Sequence, residues 1–192
     1  GSTSLGFREK LAEEAFMETA YYESKIFKYF NERSNNFFPQ KNIFSCKLIR
    51  KTRYGENPHQ AASIFSLNNN KERFFKQLNG KGLSFNNLND LRAGLSLLAE
   101  YKNPTAVIIK HAIPCGVAET NNIYNSWVKA CQADELSAFG GVVALNGNVD
   151  KKLAMKLSSI FLEVIAAKAF SKEALEVLNK KKNLRVIKIL GI

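Results

Sequence analysis

Apolar positions Leu11, Ala15, Tyr22, Ile26 and Phe30 recur at three- to four-residue steps between Glu9 and Asn31, with one skipped turn at Thr19. That spacing predicts an amphipathic helix. The stretch Arg33 to Lys41 is polar and carries Pro39-Gln40, so it reads as a loop or linker. Phe44, Cys46 and Leu48 alternate with polar neighbours, predicting a strand that enters Lys51-Thr52-Arg53-Tyr54. Farther on, strand and helix patterns alternate. Ala62 to Leu67 reads as a strand. Asn87 to Tyr101 places Leu88, Leu91, Leu95 and Leu98 on one helical face, and Asn103-Pro104 ends it. Thr105 to Ile109 is a continuous, β-rich apolar run, as expected of a strand buried on both faces. Ile123 to Gln132 predicts a helix and Gly141 to Leu145 a second buried strand. Asp150 can cap a helix through Phe161, Ser171 another through Lys181, and Val186 to Leu190 is a last strand. The alternation predicts an α/β domain with a largely parallel sheet, preceded by an N-terminal helix. No internal repeat is present.

Composition narrows the class without changing that picture. A chain of 192 residues, 45% hydrophobic and 23% charged, is long and apolar enough for one packed domain or for one domain with part of another. No apolar run approaches the roughly 18 residues that span a bilayer, and the start lacks a basic region followed by an apolar core. Neither membrane insertion nor secretion is therefore expected. Cys46, Cys115 and Cys131 are odd in number and have no CxxC spacing, which argues against a disulfide framework and fits a reducing, cytoplasmic setting. The net charge of +11 would suit an anionic partner, but the lysines are scattered apart from Lys180-Lys181-Lys182. Scattered lysines are more often a solvated face than a nucleic-acid site, so no nucleic-acid partner is expected.

Four segments concentrate Gly, Pro, Asn, His and Arg, and all four read as loops: Arg53 to Gln60, Leu83 to Asn87, Lys110 to Gly116, and Ser137 to Gly141. The third follows a predicted strand, and ligands of open α/β sheets bind outside the carboxyl ends of strands. Lys110-His111 carries the sharpest chemistry. Strand neighbours point to opposite faces, so the pair can address one site only where the strand breaks, and Pro114 and Gly116 offer a break. Histidine takes a proton near neutrality, and a lysine cation stabilises developing negative charge. The competing reading is a strand-end lysine beside a hydrogen-bonded loop histidine. Arg53-Tyr54 could hold a phosphate and cover a ring; it could equally pair with a surface carboxylate. His59 is either a second acid-base group or a turn residue, and Asn86-Asn87 either reads a polar heterocycle or forms a turn. Ser137 to Gly141 lets backbone approach a ligand but lacks both phosphate-loop patterns. Pro114-Cys115 is a fragment of a zinc-deaminase signature whose other elements are missing, so no catalytic metal is expected.

Together, Arg-Tyr-Gly-Glu-Asn-Pro-His-Gln, Lys-His-x-x-Pro-Cys-Gly and Ser-Ala-Phe-Gly-Gly, in this order and at these separations, resemble the bifunctional AICAR transformylase/IMP cyclohydrolase family of de novo purine synthesis. The resemblance runs from about Arg50 to the end and more weakly through the first helix. It implies that residues 1–48 are the C-terminal tail of the cyclohydrolase domain with its linker. It further implies that residues 49–192 are the first cytidine-deaminase-like, three-layer half of the transformylase domain. The implied reaction moves a formyl group from the co-substrate 10-formyltetrahydrofolate to the amine of AICAR; whole family members also cyclise the product to IMP. Carried over residue by residue, Lys110 and His111 match the catalytic pair, and Arg53 and Tyr54 match nucleotide-binding positions. Asn87 matches an amide contact, Phe139 and Gly140 the wall around the AICAR base, and Glu163 a carboxylate near the ribose. A homodimer and a second transformylase half are implied as partners. Ile113, Lys168 and the run Ala133 to Leu136 depart from the family pattern. Alternatives of another class are a non-catalytic nucleotide-binding remnant, an assembly module, or a basic nucleic-acid-binding domain.

Overall fold

A computed structural model describes residues 2–67 and 75–190. Contacts divide the chain into two units, residues 1–48 with 65–69, and residues 49–64 with 70–192. The first unit holds one long helix, α1 (Leu5–Arg33), whose N-cap Ser4 accepts a hydrogen bond from the Phe7 N–H at 3.3 Å. Lys10–Glu14 and Lys28–Glu32 pair one turn apart along it. The predicted helix therefore forms, and is longer than its apolar repeat. The repeat itself does not become a covered stripe: Leu11, Tyr22 and Phe30 stay exposed, and Ser24 is the one buried residue of α1.

The chain passes between the units through a two-stranded ribbon, β1 (Lys47–Lys51) and β2 (Ser63–Ser66). The first strand starts later than its alternation predicts, and Phe44 and Cys46 precede it as exposed residues. In the second unit a six-stranded sheet has the order β3-β8-β7-β6-β4-β5. Its strands are β3 (Phe75–Asn79), β4 (Thr105–Lys110), β5 (Ile113–Glu119), β6 (Gly141–Val149), β7 (Leu162–Phe170) and β8 (Arg185–Ile189). Helices α2 (Phe85–Leu98), α3 (Ile123–Ala133), α4 (Glu135–Ala138), α5 (Lys151–Ser158) and α6 (Lys172–Leu178) complete it. Strand alternation sorts the buried residues onto two faces. Ile108, Val143, Leu145, Ile165, Ala167 and Val186 pack with Trp127 of α3, Leu153 and Leu157 of α5, and Leu178 of α6. Val107, Ile109, Val142, Ala144, Val164, Ala166 and Ile187 pack with Leu91 and Leu98 of α2. The unit is therefore a three-layer α/β sandwich, and each fully buried Leu or Ile contributes about 1.5–3 kcal/mol.

The largely parallel sheet is corrected to a mixed one. Strands β6, β7 and β8 are parallel, while β4 is antiparallel to both β5 and β6, and β3 is antiparallel to β8. The difference comes from β5. Its Pro114-Cys115-Gly116 reads as a break, yet Pro114 sits on an edge strand beside a register shift, where its missing N–H costs little. Strand β7 is also absent from the sequence pattern. Its Ala166-Ala167-Lys168-Ala169 suits a helix by propensity, but burial between two neighbours selects small side chains and overrides that preference. The two capped helices start where expected, Asp150 accepting from the Leu153 N–H at 2.7 Å and Ser171 from the Ala174 N–H at 3.1 Å, and stop three residues earlier.

Candidate functional site

The motif segments converge on one end of the sheet, which is the carboxyl end of β4, as expected for the third segment. Lys110 closes β4 at its carboxyl end, whereas Gly141, Glu163 and Arg185 stand at or beside the amino ends of β6, β7 and β8. The rule that places ligands at carboxyl ends holds here for β4 alone, because β4 runs against its neighbours.

Lys110 and His111 come from a tight hairpin rather than a long loop. Lys110 pairs with Ile113, leaving His111-Ala112 as a two-residue connection with φ of +62° at both positions, the type I′ pattern. Such turns favour Asn-Gly; here two L residues with ordinary side chains adopt the left-handed region, at about 1–2 kcal/mol each. His111 is exposed at the tip, and the following N–H, of Ala112, donates to Asp90 Oδ1 at 2.7 Å. Lys110 turns back towards the fourth segment, where its Nζ donates to the Phe139 carbonyl. Gly140 has a φ of +72° and donates its N–H to the Phe161 carbonyl at 2.7 Å. A Cβ at Gly140 would stand 3.1 Å from Lys110 Nζ, so glycine serves both the backbone conformation and the approach of the lysine. Phe139 and Phe161, both largely exposed, set their rings 5.3 Å apart at 47°.

A second cluster lies on the same sheet end. Ser84 and Asn87 form a reciprocal capping box at the start of α2, each side chain accepting from the other's N–H at 3.2 Å. The Asn87 Nδ2 then donates to Glu163 Oε2 at 2.7 Å, and Arg185 Nη1 lies 3.5 Å from the same oxygen. Arg185 Nε donates to the Gly82 carbonyl at 3.3 Å. Burial pulls the Arg185 guanidinium below its ordinary pKa; the charge of Glu163 opposes that, and the charge of Arg53 adds to it. Arg53 and Tyr54 join through backbone, the Arg53 N–H donating to the Leu83 carbonyl at 3.1 Å and the Phe85 N–H to the Tyr54 carbonyl at 3.3 Å. The Arg53 guanidinium stacks 4.8 Å from the Tyr54 ring.

These contacts join Lys110 to Phe139 and Gly140, and Asn87 to Glu163, with Arg53 and Tyr54 alongside. His59 is exposed on the Arg53–Gln60 turn, which closes on itself through Gly55 and Gln60. The lysine cluster is drawn partly into structure, since Lys181 Nζ donates to the Ser158 and Ile160 carbonyls at 2.5 and 3.2 Å. Sequence reasoning missed Arg185, Phe161 and Asp90. A charged residue opening an apolar strand, Arg185-Val-Ile-Lys-Ile, was the available signal for the first; Phe161 and Asp90 carry none. Among the described residues no group of three His, Cys, Asp or Glu side chains could hold a metal ion. None of the described helices is long and apolar enough to cross a membrane. Cys115 and Cys131 are free thiols, each pushed up in pKa first by burial and then by a nearby carboxylate.

The family model of the AICARFT/IMPCHase bienzyme matches residues 1–191. Three curated relatives are each described as a bifunctional purine biosynthesis protein PurH. That of Thermoanaerobacter sp. (strain X514) is 46% identical over 194 residues, covering 98% of this chain and 38% of the relative. Those of Listeria monocytogenes serovar 1/2a (strain EGD-e) and Acetivibrio thermocellus are 43% and 40% identical, with the same two coverages. The chain thus spans 38% of the length of these relatives. Among solved structures, a protein described as a formate dehydrogenase accessory protein from Desulfotalea psychrophila matches 60% of this chain and 59% of its own, at 15% identity and a TM-score of 0.45.

Proposed function

The chain belongs to the AICARFT/IMPCHase bienzyme family, and we propose that its second unit contributes a half-site for formyl transfer from 10-formyltetrahydrofolate to AICAR. The observation that carries this reading is the meeting of Lys110 with the Phe139-Gly140 backbone at the sheet end that also bears His111, Glu163 and Arg53. AICAR's amine is a weak nucleophile, its lone pair delocalised into the ring. As its nitrogen attacks the formyl carbon, His111 takes the amine proton, and Lys110 stabilises the oxyanion or protonates the departing folate nitrogen. The products are formyl-AICAR and tetrahydrofolate. Arg53 and Tyr54 bind the nucleotide, and the exposed Phe139 ring walls the base. Glu163 meets the ribose with its carboxylate steadied from behind, and Asn87 acts through that carboxylate, since its own amide is engaged within the protein.

Residues 1–48 are in this reading the tail of a cyclohydrolase domain, and residues 49–192 a cytidine-deaminase-like half that a second half and a second subunit complete. Half a site gives half the transition-state complementarity, so the reaction is assigned to the assembled enzyme in the cytoplasm. The test is a chimera in which this chain replaces the matched segment of the Thermoanaerobacter relative. Formyl-AICAR production should fall about 10²–10⁴-fold on His111→Ala, with KM for AICAR little moved. A His111→Ala chimera as fast as its parent would contradict the assignment.

A further inference from the structure

The turn that presents His111 is held by a side chain outside every motif segment. His111 and Ala112 both stand at φ +62°, where the Cβ of an L residue crowds the following carbonyl, and neither is the Gly or Asn that a type I′ turn favours. The β4–β5 pairing closes the turn, with Lys110 opposite Ile113, but an alanine at φ +62° has no propensity of its own for that conformation. One hydrogen bond from another element braces it further: Ala112 N–H to Asp90 Oδ1 at 2.7 Å, across 22 residues of sequence. A backbone donor on a carboxylate makes a charge-assisted bond, stronger than a neutral one. Asp90 is mounted on a rigid support. Its neighbour Leu91 is buried in the second core, and Asn87, one turn earlier on α2, is anchored to Ser84 and Glu163. The carboxylate is thus fixed with respect to the sheet end that bears the other candidate residues.

We propose that Asp90 is a positioning residue for His111, fixing the left-handed His111-Ala112 turn so that the imidazole has one placement at the tip. The role attributed to His111 rests on the formyl-transfer reading; the anchor itself does not. Its function is to convert a turn with poor intrinsic preference into a single presented geometry, on which proton transfer at the AICAR amine depends.

The experiment uses this chain, its two histidines, His59 and His111, and AICAR as the probe. Hydrogen exchange at the Ala112 amide and the NMR signals of the His111 ring are followed in the parent, Asp90→Ala, Asp90→Asn and the double variant Asp90→Ala/Ala112→Gly, with His59 as internal reference. Asp90→Ala should speed Ala112 exchange by about tenfold or more and broaden or split the His111 signal, with binding of AICAR retained. Asp90→Asn keeps an acceptor oxygen and should keep both readouts near the parent. Glycine at 112 relieves the backbone, so the double variant should recover a single His111 signal even without the acceptor. A merely supportive role for Asp90 predicts no such rescue. Unchanged Ala112 protection and an unchanged His111 signal in Asp90→Ala would overturn the proposal, as would a double variant no better than the single. If His111 ignores AICAR in the parent while Ala112 remains Asp90-protected, the formyl-transfer reading fails and the anchor stands.

Discussion

Glu163 and His111 stand at the same end of one sheet and are tied to the same turn of α2, yet they are built in opposite ways. Asn87 holds the Glu163 carboxylate and Asp90, three residues on, holds the turn behind His111. Around Glu163 an amide and a buried guanidinium meet one carboxylate oxygen, and the guanidinium also donates to a carbonyl. Around His111 the backbone is left-handed at two successive L residues and the ring is exposed. The first corner is held by its own contacts, because its charged and polar groups neutralise one another. The second keeps strain at the tip and leaves the ring accessible. A single helical turn supports both, so on the proposed reading the groups assigned to binding and to proton transfer share one frame.

Substitutions can break this contrast, and the largest effect is expected beneath the carboxylate corner. Gly80 has a φ of +96°, and a Cβ there would lie 2.2 Å from the Leu184 carbonyl and 2.8 Å from Arg185 Cα. Gly80→Ala should cost about 3 kcal/mol in denaturant unfolding, since strain and overlap fall on backbone that cannot yield. Next, Glu163→Gln keeps the shape but leaves the Arg185 guanidinium, whose side chain is 8% exposed, without its counter-charge. Glu163 itself is 42% exposed, so solvent softens the loss to about 2 kcal/mol, measured by the same method. At the other corner the sign reverses. Ala112→Gly removes left-handed crowding at φ +62°, against the extra freedom of an unfolded glycine, and should stabilise by about 0.5–1 kcal/mol, a rise in Tm of about 1–4 °C. A loss of stability there would show that the turn is not strained.

The smallest effect is a pH dependence in the short helix before Phe139. Hydrogen bonding from Ser137 holds Asp134, the N-cap of α4, below its ordinary pKa of 3.8. A carboxylate with a depressed folded pKa stabilises above the unfolded value, and loses that contribution as pH falls through the folded value. The Ser137 amide should therefore lose exchange protection only below pH 3.8, and Asp134→Asn should flatten that dependence.

Legibility from sequence followed the same physics. Strand β4 and the caps Asp150 and Ser171 were plain, because a β-rich apolar run and a capping side chain are local signals. Strand β7 was not: its alanines satisfy a helix, and only burial between β6 and β8 selects the extended form. The Lys110-His111 segment stands out as chemistry but reads as a loop, since Pro114 and Gly116 resemble a break and the edge position of β5 is a property of the fold. Arg185 and Asp90 become visible only as partners, one 22 residues downstream of Glu163 and the other 22 residues before Ala112. Resemblance brought Glu163 into view; geometry supplied the groups that hold it.

The central claim is that this sheet end is a nucleotide half-site, and calorimetric titration of the chain with AICAR tests it most directly. Saturable binding is expected, abolished by Arg53→Ala and retained by His111→Ala, because the proposal assigns recognition and proton transfer to different corners. Absence of saturable binding, or binding indifferent to Arg53, would contradict the account.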